Sequence, residues 1–195
     1  MELFELVTAS VARGARLLEV GCGEGRLALA LADVGYQMTA IDPRAPDGQI
    51  FRQLRLEEFD ADAPYDAVVA RWSLHHVDDL GGAFDRIRSL LLPGSLLVIG
   101  EYGWELMDEA TLRWLHRVSG DYDHGLAGWR AEHDDLHGYA DIARELELRF
   151  RQRSFRWTPY VARMLDRPEL EPEEARLIEA GEIRALGFEY VGERL

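Results

Sequence analysis

The chain has 195 residues, 47% of them hydrophobic, with 36 acidic against 22 basic side chains and a formal charge of −14. A chain of this length supports one α/β domain that buries roughly 70% of its unfolded surface, and so acidic a surface repels phosphate backbones and anionic lipid, which argues against nucleic acid and membrane as partners. A single cysteine, Cys22, excludes an internal disulfide framework; with acids near the start and no apolar run approaching about 18 residues, the expected location is the cytoplasm.

Leu3, Leu6, Val7 and Val11 stand near helical spacing and predict a short helix over Met1–Arg13. Leu17, Leu18 and Val20 then form the apolar run of a doubly covered parallel strand. It stops at Gly21-Cys22-Gly23-Glu24-Gly25, and an amphipathic helix follows with Leu27, Leu31 and Val34 on one stripe and Gly35 placed to end it. Glycines at such a bend admit positive φ and let backbone N–H groups approach a ligand, while the helix start adds a favourable end for negative charge. The dinucleotide fingerprint would need a further glycine where Arg26 stands. Glu19, two residues ahead of the first glycine, would repel a pyrophosphate but suits a ligand that carries an ammonium group.

Gln37–Ile41 reads as a second strand that ends at Asp42-Pro43, where nucleoside-binding folds place the acceptor for ribose hydroxyls. Gly48–Phe59 gives a short third strand and a loop. Tyr65–Leu74 is a fourth strand, apolar at its centre, which runs into Arg71-Trp72-Ser73-Leu74-His75-His76. Asp78 or Asp79 caps a helix with the stripe Leu80, Phe84, Ile87 and Leu91; Pro93-Gly94 ends it and Ser95–Ile99 is a fifth strand, leading to Glu101, Tyr102 and Trp104. Asp108–Val118 and Glu132–Leu148 predict helices split by the glycine-spaced Gly120–Gly128. Arg149–Trp157 alternates like a strand with Arg149, Arg151 and Arg153 on one face, Pro172–Glu182 reads as a helix and Phe188–Val191 as a last strand.

The set E-V-G-C-G-E-G, the acidic end of the second strand, the strand leading to L-H-H and the helix–P-G–strand unit resembles the class I S-adenosylmethionine-dependent methyltransferases of small-molecule type, over roughly Arg16–Glu101. The resemblance implies a Rossmann-like α/β fold: a mostly parallel seven-stranded sheet, helices on both faces and a helical cap. It divides the single domain into a cofactor-binding half, 14–101, and a substrate and cap half, 102–195. Residue by residue it implies Glu19 near the amino-acid part of S-adenosylmethionine and Gly21, Cys22, Gly23 and Gly25 beneath it. Asp42 and Pro43 would sit at the ribose, Leu56 with Glu57 at the adenine, and Ala70 and Arg71 at the lip beside the methyl group. Arg55 stands where the family carries an aspartate for the adenine amine, so Glu57 or Glu58 takes that contact by a small shift. The segment ahead of the glycine loop is shorter than is usual, so the cover over the site is expected from the cap.

Adjacent residues in extended chain point opposite ways, so one of His75 and His76 faces the ligand; His75 is the candidate acid–base group. Trp72, His75, Tyr102 and Trp104 are the expected substrate pocket, and the acceptor is a small molecule. His133-Asp134-Asp135-Leu136-His137 places two imidazoles at i, i+4 on a predicted helix, but Asp134 is a methylene shorter than the glutamate of a zinc-protease motif, and no metal is expected. The arginine row is expected to pair with neighbouring acids. Two other readings stay open: a nicotinamide-dependent oxidoreductase, which shares the strand–glycine–helix and the acidic second-strand end, and a non-catalytic S-adenosylmethionine-binding module, which Arg55 and the short leading segment favour.

Overall fold

The computed structural model describes residues 3–121 and 124–195. The apolar run at Leu17, Leu18 and Val20 is the central strand β1 (Arg16–Val20), paired in parallel with β2 (Gln37–Ile41) on one side and β4 (Tyr65–Arg71) on the other. β3 (Phe51–Arg52) extends the β2 edge, and β5 (Leu91–Tyr102) lies parallel to β4. β6 (Phe150–Thr158) and β7 (Gly187–Arg194) complete a seven-stranded sheet of order β3-β2-β1-β4-β5-β7-β6, in which β7 runs antiparallel to both its neighbours. This is the mostly parallel sheet with one reversed strand that the resemblance implies. Successive strands step outward in opposite directions from β1 and β4, and at such a switch point a crevice opens at the carboxyl ends of the strands.

The helices α1 (Leu3–Ser10) and α2 (Arg26–Asp33) cover one face of the sheet around Leu17, Ala67 and Val98. On the other face α3 (Leu80–Leu90) and α6 (Tyr139–Arg149) pack Phe84, Ile87, Ile142 and Leu146 over Leu18, Val68 and Leu97. A third cluster belongs to the cap: α4 (Glu109–Ser119), α5 (Gly125–Ala131), the single turn α7 (Val161–Met164) and α8 (Glu171–Glu179) bury Leu112, Trp114, Leu115, Trp129, Val161 and Leu177 together.

Several boundaries differ from the sequence reading for identifiable reasons. Met1 and Glu2 of the first expected helix, and residues 122 and 123 of the glycine-spaced break, lie outside the described residues. Asp79, not Asp78, caps α3, accepting from Gly82 N at 2.9 Å. That helix ends at Leu90, and Leu91 already pairs with Tyr65 before the Pro93-Gly94 kink jumps the register to Ala67 and Leu96. The helix expected from Glu132 starts at Tyr139: the His137 amide donates to His75 O at 3.1 Å and its imidazole Nε2 meets Val77 O at 2.9 Å, which draws residues 133–138 across the strand end as a turn. The two imidazoles therefore do not share a helix face, and His133 Nδ1 is bonded to Trp129 O at 2.8 Å. No group of three or more metal-binding side chains occurs among the described residues.

Arg149 closes α6 instead of opening β6, and pairs with Asp85 and Glu145. Arg151 and Arg153 both meet Glu193, and Arg156 meets Glu189. The row is an edge-strand ion-pair ladder, as expected for so acidic a chain. No helix among the described residues is long and apolar enough to cross a membrane.

One buried carboxylate ties the cap to the sheet end. Glu174 of α8 accepts from the backbone amides of Tyr160, Val161 and Ala162 at 2.7, 2.9 and 2.8 Å, and so stands in for the missing partners at the start of α7. Glu174→Ala leaves three buried donors unpaired and is expected to lose about 3 kcal/mol of stability, read as a lower urea midpoint.

Candidate active site

The switch point between β1 and β4 holds a cleft of about 790 Å³. Its floor is the turn after β1. Gly21, Gly23 and Gly25 all have positive φ, at 70°, 50° and 77°, but for different reasons. A Cβ on Gly21 would overlap the Cβ of Ser73, and one on Gly25 would enter the ring of Phe51. A Cβ on Gly23 would meet nothing within 4 Å: the space above it is the cleft. Gly21 and Gly25 are thus fixed by the protein's own packing, and Gly23 by its conformation and by whatever lies above it. Gly21→Ala is expected to cost about 2–4 kcal/mol of stability and Gly23→Ala only about 1 kcal/mol, compared by thermal unfolding.

Three acidic side chains surround this turn. Asp42, at the end of β2, uses Oδ2 to accept from Gly23 N at 3.1 Å and Oδ1 to accept from Arg44 N at 2.7 Å, which locks the two loops together at the cleft wall. Glu24 pairs with Arg26 at 2.8 Å in solvent. Glu19 lies underneath, only 1% exposed, and its Oε2 has no hydrogen-bond partner among the described residues. Burial pushes the Glu19 carboxyl up to about 7, and Arg71 and the Ala28 amide pull it only part of the way back. Cys22 is buried in the same turn, and desolvation beside Glu19 and Asp42 pushes its thiol up to about 12, so it supplies no thiolate nucleophile near neutrality.

Pro43, Leu54, Arg55, Leu56 and Glu57 form one side wall. Arg55 pairs with Asp78, another residue of the cleft lining, at 3.2 Å, and the Glu58 carboxylate is taken by the Arg55 amide at 2.9 Å, which leaves Glu57 as the acid of that loop on the cleft. The opposite wall is the turn after β4, with Arg71, Trp72, Ser73, His76 and Val77. Trp72 holds a φ of 51°, outside the range an indole residue ordinarily adopts, and the Arg71 guanidinium lies over its ring at 5.3 Å. The strain is held by Glu101. That side chain, on β5 and 1% exposed, accepts with Oε1 from Ser73 N and Leu74 N, both at 2.7 Å, and its Oε2 lies 2.7 Å from His75 Nδ1. Ser73 Oγ in turn donates to Val20 O at 2.9 Å, so the β4 turn is bolted to β1.

Of the residues expected on the cofactor side, Gly21, Cys22, Gly23, Asp42, Pro43, Leu56, Glu57 and Arg71 line the cleft. Gly25, Glu19 and Ala70 do not line it; Gly25 packs on Phe51, and Ala70 is sealed inside the sheet between Val20 and Ile99. Of the expected substrate pocket only Trp72 lines the cleft. His75 is 4% exposed, sandwiched between Glu101, the ring of His76 at 4.0 Å and the ring of Tyr102 at 4.8 Å. Tyr102 is stacked on Tyr160 at 4.1 Å, and the indole of Trp104 donates to Leu136 O at 3.1 Å within the cap. The cap closes over these three, and the imidazole that lines the cleft is His76. Ser73 and Glu101 were not singled out from the sequence; an acid at the end of a buried strand opposite a histidine pair was the available signal for Glu101.

The Glu19 shift has a definite stability consequence. A carboxyl whose folded value is about 7 and whose ordinary value is 4.5 binds its proton more tightly in the folded state, so stability falls as pH rises from about 4.5 to about 7 and stays low above that. Glu19→Gln removes this dependence, and at pH 8 it is expected to be more stable than the parent by up to about 3 kcal/mol, with the gain vanishing near pH 4.5 in parallel denaturation curves.

A family model described as a methyltransferase domain matches residues 2–160. A ubiquinone biosynthesis O-methyltransferase of Rhodopseudomonas palustris is 28% identical over 166 residues, 74% of this chain and 65% of that protein. An uncharacterized methyltransferase of Mycobacterium bovis is 31% identical over 140 residues, 61% of this chain and 71% of that one. The chain spans about half to two thirds of the length of the ubiquinone-biosynthesis relatives. Among solved structures, an S-adenosylmethionine-dependent methyltransferase of Mesorhizobium loti superimposes with a TM-score of 0.63 at 16% identity, covering 97% of this chain and 96% of that one. A 1,6-didemethyltoxoflavin-N1-methyltransferase of Burkholderia thailandensis, solved with 1,6-didemethyltoxoflavin and S-adenosylhomocysteine, gives 0.63 at 17% identity, over 98% of this chain and 76% of that one. The family match and the seven-stranded, mostly parallel sheet agree, and the chain belongs to the methyltransferase family with the class I, Rossmann-like fold.

Proposed function

We propose that this chain transfers a methyl group from S-adenosylmethionine to a small-molecule acceptor, with 14–101 holding the cofactor and 102–195 supplying the cap and the acceptor side. The observation that carries this reading is the pairing of a glycine turn open to the cleft at Gly23 with a buried carboxylate oxygen on Glu19 that has no hydrogen-bond partner among the described residues. Such an oxygen is costly unless a positive group compensates it, and the ammonium and sulfonium of S-adenosylmethionine supply two. Glu19 is covered by the turn, so it acts on those charges through space in a low-dielectric setting. The N-terminus of α2 carries no side-chain cap, which leaves N–H groups for the carboxylate of the same ligand.

On this reading Asp42 accepts from the ribose hydroxyls, Pro43 and Leu56 flank the adenine, Glu57 takes its amine, and Arg71 and Trp72 form the lip beside the methyl group. When bound, the cofactor supplies a methyl group already made electrophilic by its sulfonium. The protein's part is to align the acceptor and exclude water, and the fixed turn at 72–76 under the cap does both. The relatives named for ubiquinone biosynthesis and for 1,6-didemethyltoxoflavin support a small acceptor. A net charge of −14 speaks against nucleic acid, and the lone buried cysteine fits a reducing, cytoplasmic setting.

Asp42→Ala is expected to weaken S-adenosylmethionine binding by about 1.5–3 kcal/mol in calorimetry; unchanged affinity would remove Asp42 from the site. Because a cationic ligand favours the ionised form of Glu19, affinity in the parent is expected to rise with pH up to about 7 and level off above it, and Glu19→Gln should flatten that profile.

A further inference from the structure

We infer that Arg71 recognises a carboxylate on the methyl acceptor, and that the acceptor is a planar molecule carrying such a group. This rests on the methyl-transfer reading of the cleft and adds a substrate class to it. The chain has 22 basic side chains, and every one is an arginine. Most of them meet an acid: Arg16 pairs with Asp62, Arg55 with Asp78, Arg149 with Asp85 and Glu145, and Arg163 with Glu171. Arg71 does not. Among the described residues its guanidinium has neither a carboxylate within ion-pair distance nor a hydrogen bond; it lies over the indole of Trp72 at 5.3 Å. Arg13, Arg44, Arg88 and Arg130 also lack an ion pair among the described residues, but those four are exposed to water, whereas Arg71 is half-buried. The charge of Arg71 reaches Glu19 through space, yet Glu19 is sealed under the glycine turn and its Oε2 has no hydrogen-bond partner among the described residues. In a protein with 36 acids, a half-buried guanidinium left without a paired anion costs stability that a bound anion offsets.

The place of Arg71 says where that anion arrives. Arg71 and Trp72 are the residues shared by the cleft and a hollow under the cap. The hollow measures about 10 Å³, room for one water at most. Its acids are engaged, Glu101 by the turn at 73–75 and Glu189 by Arg156. A larger anion therefore meets Arg71 from the cleft side. On the cleft Asp42 is held by the Gly23 and Arg44 amides, Glu24 by Arg26 and Asp78 by Arg55, while Glu57 stands on the opposite wall.

The cofactor sharpens this preference. Its own carboxylate has the uncapped start of α2, and its sulfonium adds a second positive charge at the lip where Arg71 stands. Two cations facing one small space favour an anionic acceptor over a neutral or cationic one. Trp72 supplies a flat surface beside them. Its ring meets Tyr160 edge-on at 6.2 Å, and the next amide, Ser73 N, is held by Glu101 at 2.7 Å, so the indole is fixed in place. A guanidinium laid over an indole keeps its N–H edge for a carboxylate, which it takes with two parallel bonds. The plane that carries the carboxylate then lies along the indole.

The test is calorimetry on the full chain saturated with S-adenosylhomocysteine, titrated with benzoate and with benzamide, two probes alike in size and ring but different in charge. Benzoate is expected to bind about 10-fold or more tighter than benzamide. Arg71→Gln is expected to bring the two within about threefold of each other, with S-adenosylhomocysteine affinity kept within about threefold of the parent. A merely structural Arg71 would move the Tm and leave the preference for benzoate in place. Equal binding of the two probes by the parent, or binding of neither at millimolar concentration, overturns the inference with no variant needed. So does a preference that survives in Arg71→Gln, or a larger loss of S-adenosylhomocysteine affinity there, which would give Arg71 to the cofactor's carboxylate. Failure of the parent to bind S-adenosylhomocysteine sinks the methyl-transfer reading itself, and it shows before either probe is added.

Discussion

Two strand ends meet in this molecule with no room for one carbon atom. The backbone of Gly21, leaving β1, lies against the side chain of Ser73, leaving β4, and Ser73 Oγ closes the contact on Val20 O. That approach sets the width of the cleft, because the turn on one side carries the glycines and the turn on the other carries Trp72 and His76. It also explains why glycine is required at position 21 for reasons of packing, whereas position 23 has open space above it. Asp42 completes the frame by accepting from Gly23 N and Arg44 N, so that three loops from three strands are cross-linked by short polar contacts.

Of the four glutamates buried among the described residues, Glu101, Glu174 and Glu19 stand apart in what they bond. Glu101 and Glu174 each accept two or more backbone amides, and each fixes a segment beside the cleft: the turn at 73–75 and the start of α7. A buried carboxylate so bonded is a structural clamp. Glu19 is equally buried but keeps an oxygen without a hydrogen-bond partner among the described residues, and burial drives its carboxyl up to about 7. On the proposed reading a cationic ligand in the cleft offsets that cost. Stability given up at a site and recovered on binding is a common pattern in binding proteins.

Most of the sheet was legible because its strands are apolar runs punctuated by glycine and Asp-Pro, and doubly covered strands leave little else for such runs to be. The glycine turn and Asp42 were legible for the same reason: their residue types answer to local backbone geometry. What was not legible depends on contacts distant in sequence. The helix expected from Glu132 failed because His137 bonds to His75 and Val77, residues about 60 positions earlier. His75 was favoured over His76 because sequence shows only that neighbours diverge; which one turns inward is decided by Glu101, 26 residues on. Tyr102 and Trp104 looked like pocket residues at a strand end, but the cap supplies Tyr160 and Leu136 to cover them.

The central claim is that the turn between Val20 and Arg26 is shaped for a sulfonium nucleoside and not for a dinucleotide. Arg26 stands where the dinucleotide turn needs its last glycine, and the negative Glu19 beneath opposes a pyrophosphate. The most direct measurement is thermal unfolding of the purified chain with S-adenosylmethionine, S-adenosylhomocysteine or NAD over the same range of concentrations. The account predicts a rise in Tm with the first two, growing with ligand concentration as mass action requires, and none with NAD. A chain whose Tm is unmoved by millimolar S-adenosylmethionine and S-adenosylhomocysteine, or raised by NAD instead, would contradict it.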